Sequence, residues 1–125
     1  MARSGSGRKL LLDGISFDMA ADSNPARLPT IEKEDVVHTG GVNQKVTLMS
    51  GAIEAQKLIV NDAEYVVLEG LNERLGNFSM SYEKADGSVI RTGAGFIKLA
   101  NYEAEENSVE ITMTPASRKW EVFAA

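Results

Sequence analysis

The sequence predicts a mainly β domain, a two-sheet β-sandwich or barrel with one flanking α-helix. Residues 78–83 and 109–114 alternate between apolar and polar side chains, as half-buried strands do. Asp-Gly dipeptides at 13–14 and 86–87 are typical of tight turns between paired strands. Only residues 61–76 combine a helical apolar stripe with a helix start signal. The 125 residues have room for one modest core, so we expect one domain.

We expect this domain to cover residues 9–125 and to follow a flexible arm at residues 1–8. The arm contains serines, glycines and arginines and cannot bury apolar surface. The run Leu10–Leu12 is too short for the core of a signal peptide, so no export signal is expected. The chain has no cysteine, which excludes disulfides, thiolate metal sites and cysteine nucleophiles.

The first half of the chain carries the signals of five strands. Their predicted ranges are 9–12, 15–19, 31–37, 42–48 and 52–60. Between the second and third of them, residues 22–28 have turn chemistry and are predicted to be a loop. Gly40-Gly41 joins the third strand to the fourth. The alternation in 52–60 slips between Ala55 and Leu58, which indicates a β-bulge.

One helix is predicted, beginning at Asn61 or Asp62 and ending at Gly76. Asn61 and Glu64 have the spacing of a capping box, in which each side chain accepts a hydrogen bond from the other residue's backbone. The predicted apolar stripe consists of Val67, Leu68, Leu71 and Leu75. The opposite face carries Asp62, Glu69 and Glu73. We therefore expect the helix to pack one face against a sheet.

The second half of the chain returns to strands. A hairpin over 78–83 and 89–99 is predicted, with a bulge or close approach at Gly93 and Gly95. An acidic loop over 101–107 should follow. The last long strand should point Val109, Ile111 and Met113 inward and Glu110, Thr112 and Thr114 outward, ending at Pro115. We expect the apolar tail of Trp120, Val122 and Phe123 to be packed in the core or against a neighbour.

The net charge of the chain indicates how it would interact with nucleic acid. The net charge is −5 and the pI is about 4.9, whereas proteins that bind DNA through phosphates use an excess of Lys and Arg. This excludes a phosphate-binding role. An acidic surface would instead suit a conduit through which DNA slides without sticking. No apolar segment calls for a membrane span.

Catalytic and metal-binding patterns are weak, so we expect no enzyme, no metal site and no cofactor. His38 is the only histidine, which leaves serine hydroxyls without a partner base. The acids Glu103, Glu105 and Glu106 lack the central glycine of a calcium loop and are read as a solvated loop. A glycosidase carboxylate pair could be drawn from Glu54, Glu83 and Glu110, but aromatic residues are only 6% of the chain.

Four features together resemble the tail tube proteins of Mu-like contractile phages. They are an early strand ending in Leu12-Asp13-Gly14, the run from Glu34 to Val42 with its Gly-Gly-Val, a single mid-chain helix after a long strand, and a late hairpin at 85–88 followed by Gly93–Ile97 and an alternating strand. The similarity extends from Lys9 to Phe123. The sequence departs from the family in its longer basic arm and in a longer loop around Asn24-Pro25.

The resemblance implies the tail-tube fold and a role as a structural subunit of the virion tail, assembled in the host cytoplasm. It implies homohexameric rings that stack into a tube through an extended loop and the chain termini, with sheets joined into an inner barrel. Sheath, baseplate and tape-measure proteins would be the partners. DNA would pass along the lumen during ejection without specific binding. Pairing between copies would also cover exposed strand edges, which otherwise promote aggregation.

Two sets of residues are the candidate sites under this reading. The inter-ring loop is assigned to Glu34, Val37, His38, Gly40, Gly41 and Val42. The candidates for the lumen-facing side are Glu54, Ser79, Ser81, Glu83, Glu110 and Thr112. Each set also has a simpler interpretation without a role in assembly. The first set would be part of a charged edge strand, and the second would be exposed to bulk solvent.

Two other functions remain open at this stage. One is the tube subunit of a type VI-like contractile injection system, which would carry protein effectors instead of DNA. The other is a monomeric β-sandwich binding or adaptor module, which would behave as a single subunit by size-exclusion chromatography.

Overall fold

A computed structural model describes residues 9–124 of the chain, which form ten β-strands and one α-helix. The strands are β1 (Lys9–Leu12), β2 (Ile15–Met19), β3 (Ala26–Arg27), β4 (Ile31–His38), β5 (Gly41–Leu48), β6 (Ile53–Ile59), β7 (Phe78–Glu83), β8 (Val89–Glu103), β9 (Ser108–Pro115) and β10 (Glu121–Phe123). The helix α1 (Asp62–Glu73) lies between β6 and β7. The mainly β fold with one helix is thereby confirmed. The arm predicted at 1–8 lies outside the described residues.

Six strands pair in a closed antiparallel circuit, in the order β1, β2, β6, β9, β8, β7 and back to β1. Two short strands extend it, because β3 pairs with β6 and β10 pairs with β8. Each of these six strands pairs with one neighbour on either side, so the larger sheet closes into a barrel. Strands β4 and β5 pair only with each other and form the second sheet.

The core lies inside this circuit and is made by alternate residues of its strands. The fully buried side chains include Leu10, Leu12, Phe17, Leu58, Met80, Val109, Ile111 and Met113. Phe17 and Met19 share the inner face as predicted. The inward set of β9 is also confirmed, but Thr114, predicted to be exposed on the outer face, is buried.

The turns and bulges follow the local sequence signals. Asp13 and Gly14 both have positive φ, as the tight turn between β1 and β2 requires. The predicted slip in β6 is a bulge between Ile53 and Gln56, and Ala55 there adopts φ 61. The predicted bulge near Gly93 and Gly95 is present in the β7–β8 pairing. These predictions are confirmed.

Helix α1 begins with the predicted capping box, in which Asn61 and Glu64 exchange side-chain to backbone hydrogen bonds of 2.8 and 3.1 Å. It packs on the second half of β8, where Asn72 Oδ1 accepts a hydrogen bond of 3.2 Å from the backbone N–H of Leu99. That contact satisfies one backbone N–H on the side of β8 that has no neighbouring strand there. Within residues 9–124, no helix has the length and apolar character needed to cross a membrane.

The predicted apolar stripe of the helix is only half right. Leu68 and Leu71 are buried, but Val67 is 41% exposed and Leu75 is fully exposed. Leu75 lies beyond the helix, which ends at Glu73 with Arg74 as C-cap rather than at Gly76. Arg74 leaves the helical conformation and forms an ion pair of 2.5 Å with Asp13, which holds the chain against the β1–β2 turn.

Two predicted loops contain strand residues. The expected loop over 22–28 contains the short strand β3, which pairs with the start of β6. The expected acidic loop over 101–107 is shorter, because β8 continues to Glu103 and only residues 104–107 form the turn. In both places tertiary pairing with a neighbouring strand extends β structure into residues whose local propensity favours turns.

Two glycines provide a test of the backbone. Gly51 has φ +70, and a Cβ there would clash with the carbonyl oxygen of Arg118. We expect Gly51→Ala to lower the free energy of unfolding by about 2 kcal/mol or more. Gly70, inside the helix, has nothing within 4 Å of its Cβ position, so Gly70→Ala should raise that free energy by about 1 kcal/mol. Urea denaturation measures both, and effects of the same sign would contradict the structure.

Candidate assembly surfaces

The strands β4 and β5 form a hairpin arm that stands apart from the barrel. Eight residue pairs join them, from Ile31 with Leu48 at the root to His38 with Gly41 at the tip. Every residue of both strands is exposed. At about 3.4 Å per residue, the arm extends roughly 27 Å. The prediction of two strands joined at the glycines is confirmed.

The register gives the arm two different faces, because directly paired residues point to the same side. We call one the apolar face; it carries Ile31, Lys33, Asp35, Val37, Val42, Gln44, Val46 and Leu48. We call the other the polar face; it carries Glu32, Glu34, Val36, His38, Asn43, Lys45 and Thr47. Five of the eight apolar-face residues are large and hydrophobic, and Val37 is 77% exposed.

The tip gathers most of the residues assigned to the inter-ring loop. Val37 pairs with Val42 on the apolar face, and His38 pairs with Gly41 on the polar face. The backbone N–H of Gly40 donates a hydrogen bond of 3.1 Å to His38 Nδ1, which ties the histidine to the turn. Glu34 lies further down the polar face, opposite Lys45. The structure therefore places Glu34 apart from the apolar pair at the tip.

The physical problem of the arm is its exposed apolar surface. A two-stranded hairpin without other contacts is marginally stable in water, and large exposed apolar patches in proteins commonly mark interaction sites. The apolar face has no cover among residues 9–124. An arm of this kind would gain stability by packing against another molecule.

The lumen-facing candidates fall into two groups. Ser79, Ser81 and Glu83 lie on the outer face of β7, and Arg91 of β8 pairs with Ser81. The other three lie on the β6–β9 pair: Glu110 opposite Lys57, and Thr112 beside the bulge that holds Glu54. In the circuit of pairings two strands separate β7 from β6 in either direction. The structure therefore does not bring the six residues together on one wall.

Cationic side chains lie beside both groups of lumen-facing candidates, and the sequence alone did not predict this. Lys57 pairs with Glu110, Lys98 pairs with Thr112, and Arg91 pairs with Ser81. Neither wall is therefore strongly acidic. The β6–β9 group has two carboxylates, Glu54 and Glu110, whereas the β7 group has only one, Glu83.

The last residue of β8 and the turn that follows it, residues 103–107, are the most acidic exposed part of the described chain, and we call them the acidic turn. Glu103, Glu105 and Glu106 are exposed there, and none of them forms an ion pair within residues 9–124. The stem is rigid, because the Tyr102 ring stacks on Tyr65 with centroids 4.3 Å apart. The Tyr102 hydroxyl also donates a hydrogen bond of 2.8 Å to Asp62, and this bond raises the pKa of Tyr102.

Within the described range 9–124, no group of three or more His, Asp or Glu side chains is arranged to hold a metal ion. In the β7–β8 turn, hydrogen bonds from the hydroxyl and backbone N–H of Ser88 lower the pKa of Asp86. Those bonds stabilise the turn.

Two exposed features were missed by sequence reasoning. Val66 and Val67 of the helix leave apolar side chains in solvent, although one of them belonged to the predicted stripe. A basic cleft also forms at the root of the arm, between residues 27–30, Gly51 and residues 118–120. No local sequence pattern predicts this cleft, because its walls come from three parts of the chain that are distant in sequence.

The exposed arm should be the first part of an isolated subunit to open. We expect the backbone amides of β4 and β5 to exchange with deuterium at least about tenfold faster than those of β6 and β9, because the hairpin lacks tertiary contacts. Hydrogen-exchange mass spectrometry at low protein concentration measures this difference. Equal protection of the arm and the barrel would contradict the view of an unsupported hairpin.

Comparison with protein-family models, with curated proteins and with solved structures found no match to this chain. The resemblance to phage tail tube proteins therefore rests on the sequence features given above.

Proposed function

We propose that this chain is the structural subunit of a phage tail tube, in which copies form rings and the rings stack into a channel for DNA. The observation that carries the proposal is the hairpin arm, which is exposed along its whole length and has one apolar face. The resemblance supplies the number of copies in a ring, six, and the other virion components: sheath, baseplate and tape-measure proteins.

The arm is suited to joining successive rings. Its tip presents the Val37–Val42 pair well away from the barrel. Burial of a valine side chain stabilises an interface by about 1.5–3 kcal/mol, and repetition around a ring multiplies that contribution. The polar face, with Glu34 and Lys45, would stay hydrated or form the rim of the contact. This extends the inter-ring assignment from the tip to the apolar face of the arm.

Contacts within a ring would use different surfaces. Since the barrel circuit closes on itself, its six strands have no free edge along most of their length. Strand β10 remains open on the side away from β8, and its Val122 and Phe123 are exposed. An edge strand with apolar side chains can pair with a neighbouring chain. We assign the ring contact to this edge, which accounts for the apolar C-terminal segment.

For the lumen we favour the β6–β9 wall with Glu54, Glu110 and Thr112. It has more carboxylates than the β7 wall, and carboxylates repel the phosphates of passing DNA. Lys57 and Lys98 lie on the same wall, so its surface would be mixed and polar. The Ser79, Ser81 and Glu83 group would then face outward in the assembled tube.

Substitutions at the arm test the proposal directly. We expect Val37→Asp to raise the concentration needed for assembly at least about tenfold, because a buried valine becomes a charged group. Val36→Asp is the matched control: it changes the neighbouring valine to the same residue on the polar face. Negative-stain electron microscopy over a concentration series would detect rings and tubes.

The wild-type result in that experiment separates the candidate functions. Rings or tubes support the proposal, and equal loss of assembly in both variants would contradict the role of the apolar face. A chain that stays monomeric at millimolar concentration, with or without a tail-tip or baseplate template, would favour the binding or adaptor module. Tubes that carry a protein effector instead of DNA would favour an injection system.

The lumen assignment has its own test. We expect tubes of a Glu54→Lys, Glu110→Lys variant to retain duplex DNA in co-sedimentation at low salt, because each substitution replaces a repelling charge by an attracting one. A Glu69→Lys, Glu73→Lys variant has the same net charge but changes the exposed helix face. Particles with the first variant should also eject DNA more slowly. Equal DNA retention by both variants would contradict the assignment.

A further inference from the structure

The cleft at the root of the arm is lined by cations. It has a volume of about 400 Å³ and lies between the segment before β4, the segment after β5 and the segment before β10. Arg27, Arg118 and Lys119 line it, together with the Trp120 ring, and no acidic residue does. None of the three cations forms an ion pair within the described range 9–124.

Arg118 is held in a strained and unsatisfied state at this cleft. Its φ is +66, a left-handed conformation that costs a non-glycine residue free energy. Its Nη1 atom is buried and has no hydrogen-bond partner among the described residues. Buried guanidinium nitrogens without acceptors are rare in folded proteins, since each one forfeits its hydration. Arg118 Nη1 is therefore a hydrogen-bond donor whose acceptor is not found among residues 9–124.

The wall of the cleft is fixed rather than loose. Trp120 Nε1 donates a hydrogen bond of 2.7 Å to the carbonyl oxygen of Gly51. Gly51 also lies so close to the backbone of Arg118 that no side chain would fit between them. These contacts bind the segment after β5 to the segment before β10, so the positions of Arg118 and Trp120 are set before any ligand arrives. Preorganised charge of this kind binds an anion at lower entropic cost.

We propose that this basic cleft receives the acidic turn between β8 and β9 of a neighbouring copy of the chain. The inference rests on the self-assembly proposed above and names a second contact, separate from the apolar face of the arm. The turn presents three exposed carboxylates, Glu103, Glu105 and Glu106, without ion pairs of their own. Three unpaired cations in the cleft match three unpaired acids in the turn. Carboxylate oxygens are also good acceptors for a guanidinium nitrogen such as Arg118 Nη1.

One copy cannot satisfy its own cleft. The acidic turn precedes the first residue of β9, Ser108, whereas Arg118 follows its last residue, Pro115. A strand of that length separates its ends by about 25 Å. The two charged surfaces therefore lie at opposite ends of the barrel, and they meet only between different copies. Such head-to-tail contacts generate rings or extended stacks rather than closed two-fold dimers.

Reciprocal charge reversal tests the pairing. Arg27→Glu with Lys119→Glu reverses the charge of the cleft and leaves the half-buried Arg118 intact; Glu105→Lys with Glu106→Lys reverses the charge of the turn. We expect each reversed chain to need at least about tenfold more protein to assemble. A chain carrying all four substitutions should recover assembly, because its turn and cleft again have opposite charge. Lys9→Glu with Lys84→Glu is the control: it makes the same net change at exposed positions outside the cleft, the arm, the β10 edge and the β6–β9 wall. Sedimentation velocity gives the assembled fraction.

A binding measurement tests the cleft without assembly. Trp120 is the only tryptophan, so its fluorescence reports on the cleft alone. Titration of the full chain with a peptide of residues 101–108 should give a saturable change in Trp120 emission. The same peptide with its three glutamates changed to glutamine should bind at least about tenfold more weakly. Inorganic phosphate is titrated in parallel.

The outcomes separate this inference from the proposed function. Loss of assembly on reversal, recovery in the fourfold variant and glutamate-dependent peptide binding support the pairing. If reversal of the cleft has no more effect than the control while Val37→Asp still blocks assembly, the pairing is wrong and the tube proposal stands. If the wild-type chain never assembles, the tube proposal fails. The peptide titration then shows by itself whether the cleft binds the acidic turn. Phosphate that binds as tightly as the peptide would make the cleft a small-anion site and overturn the pairing.

Discussion

Six strands of the barrel pair in a closed circuit, and the other elements of the fold are arranged around it. Because β1, β2, β6, β9, β8 and β7 satisfy one another's backbone groups, the barrel can bury its core without help from β4 and β5. The chain between β3 and β6 takes no part in the barrel and forms the arm. An arm outside a closed barrel cannot share its core, so its apolar side chains remain in solvent unless another molecule covers them.

Much of the barrel could be predicted from local sequence, and the reasons are physical. The Asp13-Gly14 turn and the alternation in β9 are local signals, since positive φ and period-two burial leave marks in adjacent residues. The capping box at Asn61 is equally local. By contrast, the inclusion of residues 26–27 in a strand depends on their pairing with β6, and no window of sequence contains both partners.

The candidate sites also divide into features that local sequence predicts and features that depend on tertiary pairing. The tip of the arm was predicted, because Gly40-Gly41 and the neighbouring valines lie within a few residues of one another. The lumen-facing set was assembled from separate strands by their shared alternation, which gives the face of each strand but not the position of that strand around the barrel. For this reason Ser81 and Glu110 were grouped, although β8 lies between their strands. The basic cleft was missed because Arg27 and Arg118 meet only in the folded chain.

Two kinds of contact follow for an assembly of copies: an apolar face on the arm, and opposite charges at the two ends of the barrel. Apolar burial supplies affinity, whereas charge pairing at exposed positions contributes mainly orientation and rate of encounter. A cryo-electron microscopy reconstruction of the wild-type assembly would show whether the apolar face of the arm is covered by another copy. We expect Val37 and Val42 to be buried against an adjacent copy, and an assembly whose arms remain in solvent would contradict the proposed role of the arm.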